Sequence, residues 1–270
     1  MIQSFEEALF HSTETYIHPT AIIGDQVELD HNVKIGPYSV LIGKVKIESG
    51  TRLYANITVG FPAQARATRE NFGTIHIKKN CEIREFVTIH APKYPDGSTI
   101  IGNNCYIMNF SHISHDVVLE DNVTLTNNVN LGGHTYIEQN ANLMANTATH
   151  QSCRIGQFSA LAPYSAVRQD LPPFCLFSGL PGAFSGLNSV GLKRAGLTSE
   201  NLYALKQVTS LFYQEKISLE SIQEIAQQKS WGTDPHVQQF LTFVTSSNRG
   251  VSRRMFAEQN EPEKTKKETA

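Results

Sequence analysis

Aliphatic side chains recur at every sixth position along most of the chain, and this spacing is the strongest pattern in the sequence. An amphipathic helix repeats about every 3.6 residues and a half-buried strand every second residue, so neither element explains the pattern. A fixed internal repeat of this kind indicates a solenoid, in which each repeat packs on the next. The register is kept, with Thr149 as the one exception, at Ile17, Ile23, Leu29, Ile35, Leu41, Ile47, Leu53, Val59, Ile77, Ile83, Ile89, Ile101, Ile107, Ile113, Leu119, Leu125, Leu131, Ile137, Leu143, Ile155, Leu161 and Val167.

A second row of small or β-branched side chains lies two residues before the aliphatic row, and Cys81, Cys105 and Cys153 belong to it. We therefore interpret these cysteines as small core residues; without a CxxC pair, neither a zinc site nor a disulfide framework is supported. Two inward positions and a corner in six residues describe one side of a triangular prism. Glycine often follows the aliphatic position, as at Gly102 and Gly132, where we expect a short strand to turn.

Three such sides make a coil of eighteen residues, and stacked coils predict a mainly β protein built as a parallel β-helix. Hexapeptide-repeat proteins have this form, and the resemblance to them supplies the left-handed winding. Two segments marked by Pro and Gly, near 60–76 and 91–99, interrupt the repeat and should loop out of the prism. Such insertions commonly build the binding face of a solenoid, and tolerated surface decoration is the alternative.

Near the C-terminus the spacing becomes helical, over 198–214, 218–228 and 234–245, with Ser, Thr or Asp at plausible caps. The sequence thus predicts a small α-helical domain after the β-helix. The expected organisation is an N-terminal extension over 1–15, the β-helix over 16–184, the α-helical domain over 185–257 and a disordered tail over 258–270.

The composition indicates no function, but it argues against nucleic-acid binding, secretion and membrane insertion. At 40% hydrophobic and 18% charged residues, with a formal net charge of -2, the 270-residue chain gives no reason to expect a nucleic acid as partner. The N-terminus is acidic where a signal peptide is basic, and no apolar run approaches the length of a membrane span. We therefore expect a cytoplasmic protein without stable membrane insertion.

The candidate chemistry lies in the stretch NFSHISHDVVLE, residues 109 to 120. Residues eighteen apart should stack about 4.8 Å from one another, which places Gly133 beside the corner residue His115. A side chain on Gly133 would crowd the imidazole, whereas glycine leaves an opening and a backbone N–H for a developing oxyanion. Asp116 should stack on His134, and a carboxylate beside a histidine fixes its tautomer and supports it as a general base.

Two further histidines lie close by in this register. His112 precedes the inward Ile113 and should face outward on a flank, and His150 should stack over Gly132. Histidines that meet across a subunit boundary could also bind zinc, as in a zinc hydratase, and the spacing alone leaves this interpretation open. Ordinary surface histidines are the third interpretation, and the glycines that line the gap argue against it.

In addition, the sequence resembles the UDP-N-acetylglucosamine acyltransferases of lipid A biosynthesis. The resemblance runs in order through the prism and the helical region. It is carried by IHPTAIIG, REFVTIH (84–90), SHISHD (111–116), LGGH (131–134), ATHQ (148–151), QDLPP (169–173) and NSVGLKRAGL (188–197).

This resemblance implies a homotrimer with active sites between neighbouring prisms and no cofactor. The implied reaction moves an (R)-3-hydroxyacyl group from acyl carrier protein to the glucosamine 3-hydroxyl of the nucleotide-sugar. By the same resemblance, His115 is the general base, Asp116 its acidic partner and Gly133 the oxyanion donor. The positions implied to contact substrate are His112, His134, His150, Gln151, Asn188 and Arg194.

The chain also departs from the family pattern. Alanines at 65 and 67 stand where the family usually carries an Asp and a Lys that hold the nucleotide-sugar. This departure keeps open a paralogue that acylates a different nucleotide-sugar, on oxygen or on nitrogen. A separate alternative is an inactive scaffold that trimerises with active relatives. Four basic residues, Lys193, Arg194, Arg168 and Arg154, are candidates for docking the acidic carrier protein, with solvated surface charge as the alternative.

Overall fold

The computed structural model describes residues 5–66, 73–214 and 217–256, so the predicted disordered tail over 258–270 lies outside the described residues. Most of the described chain winds into a left-handed β-helix with three sheets of parallel strands. Its first face contains Tyr16–Ile17, Lys34–Ile35, Arg52–Leu53, Glu82–Ile83, Tyr106–Ile107, Thr124–Leu125, Asn142–Leu143, Ala160–Leu161, Cys175–Ser178 and, antiparallel at the end, Ala183–Leu187. The second face contains Ile22–Ile23, Val40–Leu41, Thr58–Phe61, Thr88–His90, His112–Ile113, Asn130–Leu131, Ala148–Thr149 and Ala166–Val167. The third contains Val27–Leu29, Val45–Ile47, Thr74–Ile77, Ser98–Ile101, Val118–Leu119, Tyr136–Ile137 and Arg154–Ile155.

The two inward rows form the core, as the sequence predicts. Apart from the first coil, where Ile17 is 43% exposed, the aliphatic row is buried, and Thr149 is buried among its members. Cys81, Cys105 and Cys153 lie inside as free thiols. In the strands, backbone N–H groups donate to the following coil, and at many corners they donate to the preceding coil, so every coil needs its neighbours.

The corners turn through residues with φ near +60°, a left-handed conformation that Asn and Asp tolerate better than most residues. Asparagine fills many of these positions: Asn32, Asn56, Asn80, Asn104, Asn122, Asn128, Asn140 and Asn146. The glycines that follow the aliphatic row have a different role from the turning one that we expected. Gly102 and Gly132 lack a positive φ; a Cβ on either would stand 2.4 or 2.5 Å from the backbone of the next coil. Close packing between coils therefore requires them.

Both predicted loops leave the prism at the same edge, where the chain passes from the second face to the third. We call this edge 2–3, and the edge between the third and first faces edge 3–1. The first loop follows Thr58–Phe61 and returns in Thr74–Ile77, and the second spans 91–97. Each is shorter than the interruption seen in the sequence, because both ends of the first interruption and residues 98–99 of the second lie in strands. The two loops touch, since a Cβ on Gly73 would lie 2.2 Å from the carbonyl oxygen of Gly97.

Five α-helices lie in the described residues: α1 (Phe5–His11), α2 (Ser189–Arg194), α3 (Ser199–Thr209), α4 (Leu219–Gln227) and α5 (Pro235–Thr245). A π-helical turn, Ser210–Gln214, extends α3, and a 3-10 turn, Ser230–Thr233, precedes α5. Thr198, Ser218 and Asp234 cap α3, α4 and α5 through side-chain hydrogen bonds, as the sequence predicts. Among the described helices, none is both long and apolar enough to cross a membrane. After α5 the chain returns to the prism, where Ser247 Oγ donates to Asp170 Oδ2 at 2.7 Å.

Candidate active site

The central pair of the site is His115 with Asp116 on edge 2–3. His115 Nδ1 lies 2.8 Å from Asp116 Oδ2, and the two side chains are only 16% and 11% exposed. An ionised carboxylate can only accept, so Nδ1 carries the proton and donates it. Nε2 of the neutral ring is then left as an acceptor, and the ring can take up a proton from a substrate.

Gly133 stands against this acceptor nitrogen in the next coil. A Cβ on Gly133 would lie 2.5 Å from Cε1 and 2.6 Å from Nε2 of His115, so the stacking expected from the sequence is confirmed. Among the hydrogen bonds of the described residues, none uses the Gly133 backbone N–H, whereas the N–H groups of Gly132 and His134 both donate to neighbouring coils. An amide donor beside a proton acceptor is what acyl transfer requires.

His134 completes the cluster from the same edge. Its Nε2 lies 3.8 Å from Asp116 Oδ2, and its ring meets that of His115 edge-on at 5.0 Å between centroids. With 45% of its side chain exposed, His134 is open to a ligand. The ligand atoms of His115, Asp116 and His134 lie within 4.8 Å of one another, close enough to hold a metal ion. The hydrogen bond between His115 Nδ1 and Asp116 Oδ2 already gives each of these two atoms a partner.

His112 lies on the second face beside the edge, as expected. Its Nδ1 is 2.8 Å from Thr88 Oγ1, and its ring meets His90 at 5.1 Å. Burial, with the neighbouring His90 as a smaller cause, lowers the pKa of His112 and favours the neutral ring near pH 7. His90, in contrast, was not among the residues expected at the site. It is a buried histidine whose Nδ1 bonds Pro62 O at 2.8 Å, and its place directly after the inward Ile89 was the available signal.

His150 and Gln151 are exposed further along edge 2–3. The His150 Nδ1 atom lies 3.2 Å from Nη2 of Arg249, whose guanidinium also donates to the Arg168 carbonyl oxygen at 2.8 and 3.1 Å. Arg249 arrives on the returning segment after α5, far away in sequence. No local pattern in the sequence indicates that it joins this edge.

Asn188 and Arg194 lie on a different edge from the histidines. The Asn188 side chain caps α2, its Oδ1 accepting from Gly191 N at 3.3 Å, while Nδ2 donates to Phe158 O at 2.9 Å. Phe158 is a corner residue of edge 3–1, and Arg194 is exposed at the end of α2. A single chain therefore does not bring these two residues together with His115.

The four basic candidates for carrier docking differ in their surroundings. Arg154 Nε donates to Glu138 Oε1 at 2.7 Å, and its guanidinium lies over the Phe243 ring, so this arginine joins the prism to α5 instead of facing a partner. Lys193, Arg194 and Arg168 are exposed. In the first loop Ala65 is half-buried, while residue 67 lies outside the described residues.

Two protein-family models match parts of the chain. One, described as Udp N-acetylglucosamine O-acyltransferase, domain 2, matches residues 170–252, and the bacterial transferase hexapeptide model matches residues 98–133. The chain is 36% identical over 257 residues to a protein of Thermodesulfovibrio yellowstonii named acyl-[acyl-carrier-protein]–UDP-N-acetylglucosamine O-acyltransferase. That similarity covers 88% of this chain and 99% of the relative. A protein of the same name from Janthinobacterium is 34% identical, with the same coverage.

Solved structures show the same architecture. The UDP-N-acetylglucosamine acyltransferase of Francisella novicida superposes with a TM-score of 0.77 at 28% identity, covering 87% of this chain and 93% of its own. The Bacteroides fragilis enzyme gives 0.76 at 26% identity, covering 89% of this chain and 99% of its own. Both similarities extend over the prism and the helices together.

Proposed function

Since this chain belongs to the family of UDP-N-acetylglucosamine O-acyltransferases, we propose that it transfers an (R)-3-hydroxyacyl group from acyl carrier protein to the 3-hydroxyl of UDP-N-acetylglucosamine, the first step of lipid A biosynthesis. The observation that carries this proposal is the paired His115 and Asp116 with the space left by Gly133. A proton acceptor, its supporting carboxylate and an amide donor lie around one point. The reaction takes place in the cytoplasm, the compartment expected from the sequence.

His115 acts as the general base. Its Nε2 takes the proton from the sugar 3-hydroxyl while that oxygen attacks the thioester carbon, because an alcohol is a poor nucleophile until its proton is removed. Asp116 stabilises the imidazolium that results. The tetrahedral intermediate carries a negative oxygen, which accepts a hydrogen bond from Gly133 N–H. When the intermediate collapses, the carbon–sulfur bond breaks, and His115 returns its proton to the departing carrier thiolate.

The remaining residues bind substrate. His112, neutral near pH 7, has its Nε2 available on the second face, and His134, His150 and Gln151 follow along the same edge. The proton acceptor and amide donor accomplish every step of the transfer without a metal ion. Because His115, Asp116 and His134 lie close enough to hold one, measurement of zinc in the purified protein is the direct test of the hydratase alternative.

The active site is completed by a second copy of the chain in a homotrimer. Two observations support this arrangement: His134 and His150 are open to the outside of edge 2–3, and Asn188 and Arg194 lie on edge 3–1 of the same chain. In a trimer of prisms, edge 2–3 of one copy faces another copy, which brings these two residues to the site.

The departure at Ala65 supports one variation of this function. This half-buried side chain offers no charge or hydrogen bond to a nucleotide-sugar, in a loop that borders edge 2–3. A paralogue that acylates a 3-amino sugar uses the same base and the same oxyanion donor. The identity of the sugar is therefore a question for an assay with both acceptors.

The test is an acyl-transfer assay with 3-hydroxyacyl carrier proteins of several chain lengths, against UDP-N-acetylglucosamine and its 3-amino analogue. Wild-type protein should acylate UDP-N-acetylglucosamine, whereas acylation of the 3-amino analogue alone would favour the paralogue. His115→Ala should lose about a hundredfold or more in kcat. Asp116→Asn should lose activity while keeping the fold, as shown by an unchanged circular dichroism spectrum. The proposal fails if neither sugar is acylated, or if His115→Ala turns over like the wild type.

A further inference from the structure

The second loop, residues 91–97, reaches the candidate catalytic pair with its backbone. The Lys93 N–H donates to Asp116 Oδ2 at 3.0 Å, the same oxygen that accepts from His115 Nδ1. A backbone donor needs no particular side chain, so this contact leaves no mark in the sequence. It gives the Asp116 carboxylate a second hydrogen-bond donor, whose position is set by the loop backbone.

Gly97 leaves the space that the other carboxylate oxygen occupies. A Cβ on Gly97 would lie 2.4 Å from Asp116 Oδ1 and 2.7 Å from Cβ of Pro92. Because φ of Gly97 is not positive, its backbone conformation is open to any residue, and close approach alone requires the glycine. One loop residue thus donates to the carboxylate, and another makes room for it.

Thr99 fixes the backbone beneath this carboxylate. Its hydroxyl is fully buried, accepts from Asp116 N–H at 3.0 Å and donates to the His90 carbonyl oxygen at 3.0 Å. The hydroxyl therefore ties the corner that carries Asp116 to the strand from which the loop departs. The base of the loop is packed as well, since Ala91 and Pro92 are buried.

We propose that loop 91–97, through the Lys93 backbone N–H and the space at Gly97, acts with the Thr99 hydroxyl of the following strand as a positioning element that holds the Asp116 carboxylate in line with His115 Nδ1. This inference rests on the proposed function, in which His115 is the base. It gives the second loop a role in catalysis without contact to substrate. The alternative is surface decoration, in which the contacts are incidental.

The decisive pair of variants is Lys93→Pro and Lys93→Ala. Proline deletes the N–H that donates to Asp116 and also fixes the local φ, whereas alanine keeps the N–H and removes only the side chain, whose Nζ lies 5.2 Å from the Tyr94 ring centre. Lys93→Pro should lower kcat about tenfold or more with little change in KM, a fraction of what a general base contributes. Lys93→Ala should stay close to wild type.

A second set of variants guards against a loop that proline distorts. Gly97→Ala should lower kcat by pushing the carboxylate away, while Asp96→Ala, an exposed change in the same loop, should not. Thr99→Val should resemble Lys93→Pro, and Thr99→Ser, which restores the hydroxyl, should recover most of the lost turnover. Equal activity of Thr99→Val and Thr99→Ser would contradict the proposal.

Nitrogen-15 NMR of the imidazoles gives a readout that loop stability alone would not move. His115, assigned by comparison with His115→Ala, should carry its proton on Nδ1 in the wild type and shift towards Nε2 in Lys93→Pro and Gly97→Ala. If the tautomer and kcat are unchanged in both variants while His115→Ala is inactive, this inference is wrong and the proposed function stands. If His115→Ala is active, the proposed function fails, and the tautomer alone decides whether the loop positions the carboxylate.

Discussion

The imidazole of His115 occupies the space that a side chain on Gly133 would need, 2.6 Å from its Nε2 to an added Cβ. The backbone does not require glycine here, because Gly133 has no positive φ. Ala55 and Ala145 stand at the same place in their own repeats, two residues after the inward Leu53 and Leu143. The glycine is therefore matched to the histidine, and the two residues act as one unit.

Gly133→Ala should consequently damage activity more than the fold. We expect kcat to fall about a hundredfold, because the ring must turn away from the point where the base is needed. The free energy of unfolding should fall by about 1–3 kcal/mol, the usual range for overpacking. Activity assays and urea unfolding check the two halves of this expectation.

A double-mutant cycle with His115→Ala controls for other causes. In that background the space is empty, so adding Gly133→Ala should cost almost no further stability. If the stability losses simply add, the glycine is required by something other than the imidazole, and the pairing is refuted.

A second expectation concerns pH and stability. Burial lowers the pKa of His112 in the folded protein, while in the unfolded chain the ring titrates near 6.5. Between that pH and the lowered pKa, unfolding takes up a proton at His112. Its contribution to stability is therefore fully present above about pH 6.5 and is lost as the pH falls.

His112→Gln removes this proton uptake. Thermal unfolding between pH 8 and pH 5 should show a shallower loss of melting temperature in the variant than in the wild type. Curves that run parallel across the range would show that His112 is not responsible. The comparison needs no substrate, so it is independent of the reaction.

The six-residue register predicted the parts of the site that depend on stacking. It placed His115 against Gly133 and Asp116 near His134, because residues eighteen apart must lie one coil apart once the fold is known. The register could not predict the contact of Lys93 with Asp116, because every residue except proline has a backbone N–H and the sequence therefore gives no signal for it.

Two other features also depend on contacts between distant parts of the chain: the position of Arg249, and the role of Gly102, which we wrongly expected to form a turn. Arg249 reaches His150 across 99 positions of sequence, through the packing of a helical region on the prism. Gly102 is explained by the backbone of a neighbouring coil, whereas spacing alone indicated a turn. The left-handed corners do have a signal in the sequence, since asparagines recur at multiples of six residues, at 122, 128, 140 and 146.

Changing the charge of single basic residues should distinguish those that dock the carrier protein from those that stabilise the fold. Lys193→Glu, at the exposed end of α2, should raise KM for the acyl carrier protein with little change in melting temperature, and added salt should narrow the difference in KM from wild type. Arg154→Gln should do the opposite, because its guanidinium binds Glu138 and Ser246 and covers the Phe243 ring. A lower melting temperature for Arg154→Gln with unchanged KM is the expected result; the reverse pattern would make Arg154 the docking residue.

Mixed trimers test whether a second copy completes the site. His115→Ala and Arg194→Ala should each be poorly active alone, because every site in a trimer of either variant lacks the substituted residue. When the two variants are co-expressed in equal amounts and assemble at random, roughly a quarter of the sites combine an intact His115 from one chain with an intact Arg194 from another. Activity per site should then rise towards a quarter of the wild-type value, whereas mixing the two purified proteins without subunit exchange should restore nothing. No recovery in verified mixed trimers would mean that both residues serve the site from the same chain, or that Arg194 does not serve it.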